Sequence, residues 1–220
     1  MISAKDVKTL RDRTQAGFGD CKKALAATDG DMDKAVEWLR KKGLSEASKK
    51  AGRVAAEGLV HSYIHAGGKI GVLVEVNCET DFVARGDDFQ NFVKEVAMHV
   101  AAAAPTYLDR EEVPAADIDK EREVFKAQVI EQGKPEKIAD KIVEGKLGKW
   151  FSEVCLMEQP WVKEPKMSVE DLRTEIVQKT GENVKVRRFV RFALGEGIEK
   201  KQENLAEEVA KMHAAAASKA

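Results

Sequence analysis

The chain has 220 residues, 43% hydrophobic and 34% charged, with 37 Lys and Arg against 38 Asp and Glu for a net charge of -1. That length holds one large domain or two to three small modules, and the composition is that of a folded globular protein, not a disordered one. Near-neutrality excludes a global polyelectrolyte attraction to nucleic acid or membrane, and three widely spaced cysteines, Cys21, Cys78 and Cys155, exclude a disulfide framework and a Cys-x-x-Cys metal site.

Residues 3–43 read as a compact helical module. Ser3 with Asp6 is a helix-start pair, followed by Val7 and Leu10 on one face. The run 16–19 breaks that helix, and Asp20 is expected to cap a second over residues 21–27. Asp31 caps a third, carrying Ala35, Val36, Trp38 and Leu39 and expected to stop at Gly43. Residues 1–53 hold 13 basic and 8 acidic side chains, so this module is basic and suits an acidic docking surface. The start of the chain lacks the apolar run of a signal peptide and no stretch approaches a membrane span, so the expected compartment is the cytoplasm.

Residues 45–57 are rich in Ala, Lys, Ser and Gly, carry no apolar stripe and read as a helical or mobile linker. From Leu59 the period becomes two. Residues 59–65 form one strand, 66–69 a turn, and 70–78 a second strand with Ile70, Val72, Val74, Val76 and Cys78 on one face. Helical spacing returns in Phe89, Phe92, Val93, Val96 and Val100, closed by Pro105. Two narrow-striped, heavily charged segments joined at Gly133-Lys134-Pro135 predict an antiparallel helical hairpin over about 117–154 that projects from the body. Pro160 and Pro165 bound an irregular segment. Ser168 caps a helix that ends at Gly181. Residues 184–194 are a strand with Val184, Val186, Val190, Phe192 and Leu194 on one face. Leu205, Val209 and Met212 mark a helical tail. The expected fold is therefore α+β: a three-helix bundle over 1–52 like a ubiquitin-associated domain, a linker over 53–57, an antiparallel-sheet core over 58–200 flanked by helices and the hairpin, and a C-terminal helix over 201–220.

Chemistry is sparse. His61 and His65 share a strand face without a third ligand, and Cys21 and Cys78 lack a neighbouring His that would make a thiolate. Gly67-Gly68-Lys69 lacks the spacing of a phosphate loop. Lys185, Arg187, Arg188 and Arg191 interleave with aromatics, a pattern that can meet RNA, but a solvated strand face accounts for them as well. The helical module matches the spacing of ubiquitin-binding bundles, which speaks for fold more than for partner. The stretch Val76-Asn77-Cys78-Glu79-Thr80-Asp81-Phe82-Val83-Ala84-Arg85 stands apart, because a strand pattern stops there with a carboxylate beside a large aromatic. Phe82 is either a plug between strand and helix or a displayed contact.

Taken together, Leu10-Arg11-Asp12-Arg13-Thr14, Asp20-Cys21-Lys22-Lys23-Ala24-Leu25, Ala51-Gly52-Arg53-Val54-Ala55-Ala56-Glu57-Gly58, the stretch from Glu75 to Arg85, and Gly195-Glu196-Gly197-Ile198-Glu199-Lys200 resemble the elongation factor Ts family. The resemblance covers nearly the whole chain in order. It implies a guanine-nucleotide exchange factor for the protein GTPase elongation factor Tu. Arg11, Phe18 and Gly19 of the amino-terminal module would grip the GTPase domain. Thr80, Asp81, Phe82 and Val83 would form the tip that dislocates the partner's Mg²⁺ and phosphate site. It further implies no covalent chemistry, no cofactor or metal held by this chain, and no direct contact with nucleic acid. Where the family often has Gly-Ala-Gly-Met-Met, this chain has Gln15-Ala16-Gly17-Phe18-Gly19, which alters the detail of that contact. A single body sheet, where longer members carry two core subdomains, implies a homodimer that binds two partner molecules.

Overall fold

The computed structural model describes residues 2–198 except Gln15. The expected tail helix over 201–220 and the last two residues of the closing motif lie outside the described residues. The elements run α1 (Ala4–Thr14), α2 (Phe18–Ala27), α3 (Met32–Lys50), β1 (Glu57–Ile64), β2 (Ile70–Cys78), α4 (Asp81–Arg85), α5 (Asp87–Ala103), α6 (Ala115–Glu131), α7 (Glu136–Val154), β3 (Pro160–Trp161), β4 (Glu164–Ser168), α8 (Val169–Thr180) and β5 (Lys185–Ala193). The chain mixes helices with an antiparallel sheet, as the change of period predicts.

The first three helices close around Val7, Leu10, Cys21, Ala24, Leu25 and Leu39. Ser3 and Asp6 bond reciprocally at the start of α1, and the Asp31 carboxylate accepts from the backbone of Asp33 and Lys34 at the start of α3. The expectation for Asp20 is corrected. Helix α2 begins earlier, with Gly17 as its cap residue and no capping side chain among the described residues. Asp20 lies inside the first turn and pairs with Lys42 at 2.5 Å.

Gly43 does not end α3 either. The helix runs on to Lys50, because Gly43 is where α8 crosses it: a Cβ there would lie 1.6 Å from Gln178 Nε2 and 3.0 Å from Thr174 Cγ2. The missing side chain lets two helices approach closely, so the glycine marks a contact and not a stop. Helix α3 thus puts Leu39 in the first core and Ala47 in the second. Arg40 adds a bidentate bond to Asp171 of α8, Nε to Oδ1 at 2.8 Å and Nη2 to Oδ2 at 2.6 Å.

The main sheet has the order β1-β2-β5, antiparallel throughout. Val72, Val74, Val76 and Cys78 of β2 face α5, whose Phe89, Phe92, Val93, Val96 and Val100 cover them, with Ile176 and Val177 of α8 alongside. Gly58 in β1 has φ +139, and a Cβ there would meet the Val76 carbonyl oxygen at 2.1 Å, so only glycine lets the two strands pair at that point. Ser168 and Asp171 form a capping box that starts α8.

One strand expectation fails in an informative way. A β-bulge falls between Glu75 and Val76, which pair with Arg188 and Val186, so Arg187 is the extra residue. An extra residue inverts the alternation beyond it. Val184 and Val186 point inward, whereas Val190, Phe192 and Leu194 turn outward and are exposed. They join Val60, Ile64 and Leu73 on an outer sheet face that is largely apolar.

The hairpin of α6 and α7 has its own core of Val129, Ala139, Val143, Leu147 and Phe151, separate from the sheet core. Ile138, near the start of α7, lies outside the hairpin core and is exposed. The segment read as irregular contains the small β3–β4 ribbon, which packs beside α8.

A candidate partner-binding tip

Strand β2 delivers the chain to Thr80, and a single helical turn, α4, follows. Sequence reasoning saw only a break here. The overlooked signal is Thr80 followed by Asp81, an N-cap residue and a first-turn acid. Thr80 is extended (φ -129, ψ 153), and its Oγ1 accepts from the Val83 N–H at 3.3 Å. Gly86 closes the turn by donating to the Val83 carbonyl at 3.0 Å. A one-turn helix has little stability of its own; it is held by burial of Ala84 and partial burial of Val83 against the sheet core.

With Val83 and Ala84 facing in, Asp81 and Phe82 must face out. Phe82 is 83% exposed. It borders an open groove of about 640 Å³ whose walls include Val83, Arg85, Asp87 and Lys179. Asp81 is exposed and pairs with Arg85 one turn on, at 2.7 Å. Exposed pairs of this kind are weak and exchange readily for a better partner.

Behind the tip sits a set of bonds that no local pattern announces. Glu182, between α8 and β5, accepts from the N–H of Glu79 (3.0 Å), the N–H of Thr80 (3.1 Å) and the hydroxyl of Thr80 (2.7 Å). In return Glu79 accepts from the Asn183 N–H at 2.6 Å, and that bond holds the Glu79 carboxyl below the usual range, with Arg53 at 3.4 Å adding to it. Cys78 donates to the Thr80 carbonyl at 3.2 Å. Burial pushes its thiol up to about 11, so it stays protonated and serves as packing.

Of the other expected contact residues, Arg11 lies exposed on α1, and Phe18 and Gly19 open α2. Phe18 is 53% exposed, a large aromatic left in water at a helix start. Thr80, Asp81, Phe82 and Val83 come together by contiguity at the start of α4; Arg11, Phe18 and Gly19 belong to the helical bundle and its separate core. The basic strand has partners of its own: Glu75 accepts from Arg187 and Arg188, each at 2.7 Å, and these bonds hold its carboxyl below the usual range. Among the described residues no three His, Cys, Asp or Glu side chains cluster to hold a metal ion. Nor is any described helix long and apolar enough to cross a membrane. His99 is buried in the core, its Nε2 2.9 Å from Gln159 and its Nδ1 taking the Val162 N–H, and burial lowers its pKa.

Comparison with known proteins agrees with the residue-level resemblance. Residues 44–196 match the family described as Elongation factor TS. Elongation factor Ts of Anaeromyxobacter dehalogenans strain 2CP-1 is 64% identical over 210 residues, covering 96% of each chain. The proteins of that name from Heliobacterium modesticaldum and Geobacter sulfurreducens are each 60% identical over 209 residues, covering 95% of this chain and 97% of their own. With matches of this extent and identity, the chain belongs to the elongation factor Ts family of translation elongation factors.

Proposed function

We propose that this protein is a guanine-nucleotide exchange factor that binds elongation factor Tu in its GDP state, disturbs the partner's Mg²⁺ and phosphate site, and stays bound until GTP enters. The observation that carries the reading is Phe82: an aromatic left 83% exposed on a turn whose base is anchored in the core. An exposed aromatic costs solubility and contributes nothing to this chain's own packing, so a partner pocket is its natural place. Phe82 enters the partner as a wedge. Asp81 exchanges Arg85 for groups around the Mg²⁺ shell. The helical bundle grips the GTPase domain through Arg11, Phe18 and Gly19.

No covalent bond is made or broken in this process. The factor binds the nucleotide-free partner more tightly than the GDP-bound partner, and by linkage GDP is then held less tightly in the ternary complex. A stiff tip matters because binding energy spent on ordering a loose loop is lost to the exchange. The factor acts as a homodimer, and what supports this is the outer sheet face, where Val60, Ile64, Leu73, Val190 and Phe192 leave an apolar surface of the kind that isolated soluble chains rarely display.

The test is release of fluorescent GDP preloaded on elongation factor Tu. Addition of the protein speeds release by orders of magnitude if the reading is right; unchanged release sinks it.

A further inference from the structure

We infer that Glu182 is a positioning residue for the tip, and that the dipeptide Glu182-Asn183 brackets the tip to the chain leaving the helical bundle. The geometry stands by itself; its consequence for nucleotide release rests on the exchange reading above.

A turn of five residues cannot hold its own direction. Burial of Val83 and Ala84 fixes the back of α4, but the side from which the chain enters needs separate restraint. One carboxylate supplies it. Glu182 Oε2 takes the backbone N–H groups of Glu79 and Thr80, and Oε1 takes the Thr80 hydroxyl proton. Bonds to an ionised carboxylate are short and strong relative to neutral ones. A hydroxyl has one proton to give. By directing that proton to Glu182, the site leaves a Thr80 lone pair free to accept from the Val83 N–H, which is the bond that caps α4. Glu182 therefore sets the rotamer of the residue that starts the Phe82 turn.

The neighbouring residue reaches the other way. The buried Asn183 side chain donates to the carbonyls of Ala51 (3.3 Å) and Arg53 (2.8 Å), directly after α3. Its backbone N–H goes to Glu79, and Arg53 pairs with the same Glu79 carboxylate. Three segments more than 20 positions apart thus meet at two adjacent residues. A carboxylate present only to satisfy a strand end would need the backbone bonds alone; the Thr80 hydroxyl bond and the link to the bundle exit go beyond that.

The experiment uses the full chain with Glu182→Ala and Glu182→Gln, and reads three quantities. Amide hydrogen exchange at Glu79, Thr80 and Val83 is measured in the free protein, the GDP-release rate as a function of factor concentration with elongation factor Tu, and the thermal midpoint. With Glu182→Ala the three amides exchange at least about tenfold faster and the saturating release rate falls about tenfold. The half-saturating concentration stays within about twofold, since the bundle contact is untouched. Glutamine keeps an oxygen for the two backbone amides but offers Thr80 an N–H, so their protection returns and the rate recovers only in part. Unchanged amide exchange in Glu182→Ala overturns the inference, as does faster exchange with an unaltered saturating rate. If Glu182→Ala does not fold, Glu182→Gln decides: protected Glu79 and Thr80 amides with a lowered saturating rate support the inference, and a wild-type rate overturns it. A wild-type chain that leaves GDP release unchanged overturns the exchange reading instead, and the amide readout then decides the bracket alone.

Discussion

Phe82 and Phe89 lie seven positions apart on consecutive helices, yet one is 83% exposed and the other 1%. Residue type cannot separate them. What separates them is company. Phe89 heads a stripe of Phe92, Val93, Val96 and Val100 that meets the inner face of the sheet, so burying it adds to a core already forming. Phe82 stands before that stripe begins, on a turn whose inward positions are already taken by Val83 and Ala84. The general lesson is that an aromatic without periodic partners is a candidate for display, and that its anchors must be sought among its immediate neighbours.

The contrast can be broken most directly by truncation. Phe89→Ala should cost about 3–5 kcal/mol of stability by emptying the core, measured by denaturant unfolding. Phe82→Ala should change stability by no more than about 0.5 kcal/mol. Equal losses would mean that Phe82 packs in the core after all. In the release assay the order reverses for folded protein: Phe82→Ala should slow GDP release by roughly 30-fold, the equivalent of about 2 kcal/mol for a hot-spot aromatic.

A second displayed aromatic sharpens the comparison. Phe192 is 67% exposed on the outer sheet face, where a second copy is proposed to pack. Phe192→Glu should convert a species of twice the chain mass to one of single mass by light scattering, without loss of helix or strand signal. A wild type already at single mass would remove the homodimer.

The smallest effects concern charge, and they repeat the same theme of anchor against tip. Asp171 is buried and held by Arg40, whereas Asp81 is exposed and held by Arg85. Desolvation pushes the Asp171 carboxyl up, but the bonds from Arg40 and Ser168 outweigh it and leave its pKa below the ordinary 3.8. A lowered carboxyl pKa contributes stability that is fully present above the unfolded value and is lost as pH falls through the folded value. Arg40→Ala should therefore cost about 1 kcal/mol near pH 7, discounted for the half-exposed guanidinium, and the difference from wild type should shrink below pH 3.8. Arg85→Ala should leave the denaturant midpoint unchanged, since so exposed a pair contributes little.

Much of the fold was legible in order along the chain. The Ser3–Asp6 pair, Asp31 and Ser168 announced helix starts because capping is a local bond between near neighbours. The period-two runs announced β1 and β2, and narrow stripes announced the α6–α7 hairpin, since each pattern reflects one buried face. Gly43 misled because a glycine that ends a helix and a glycine that admits another helix are the same letter. The bulge at Arg187 misled because it shows only in the register of β5 against β2, a strand more than 100 positions earlier in the chain. Thr80 with Asp81 was readable as a helix start and was overlooked.

The stretch around Phe82 could be singled out from sequence alone, because a strand pattern stops there and the residues on either side resemble the elongation factor Ts family. What sequence could not decide was the direction of Phe82, the pairing of Asp81 with Arg85, and the bracket of Glu182 and Asn183 behind the tip. Local sequence determines which backbone groups need partners and which faces are apolar, since those depend on neighbours a few bonds away. Which partner fills each need depends on chain segments brought together only when the sheet closes and α3 crosses α8, and that is a property of the tertiary structure.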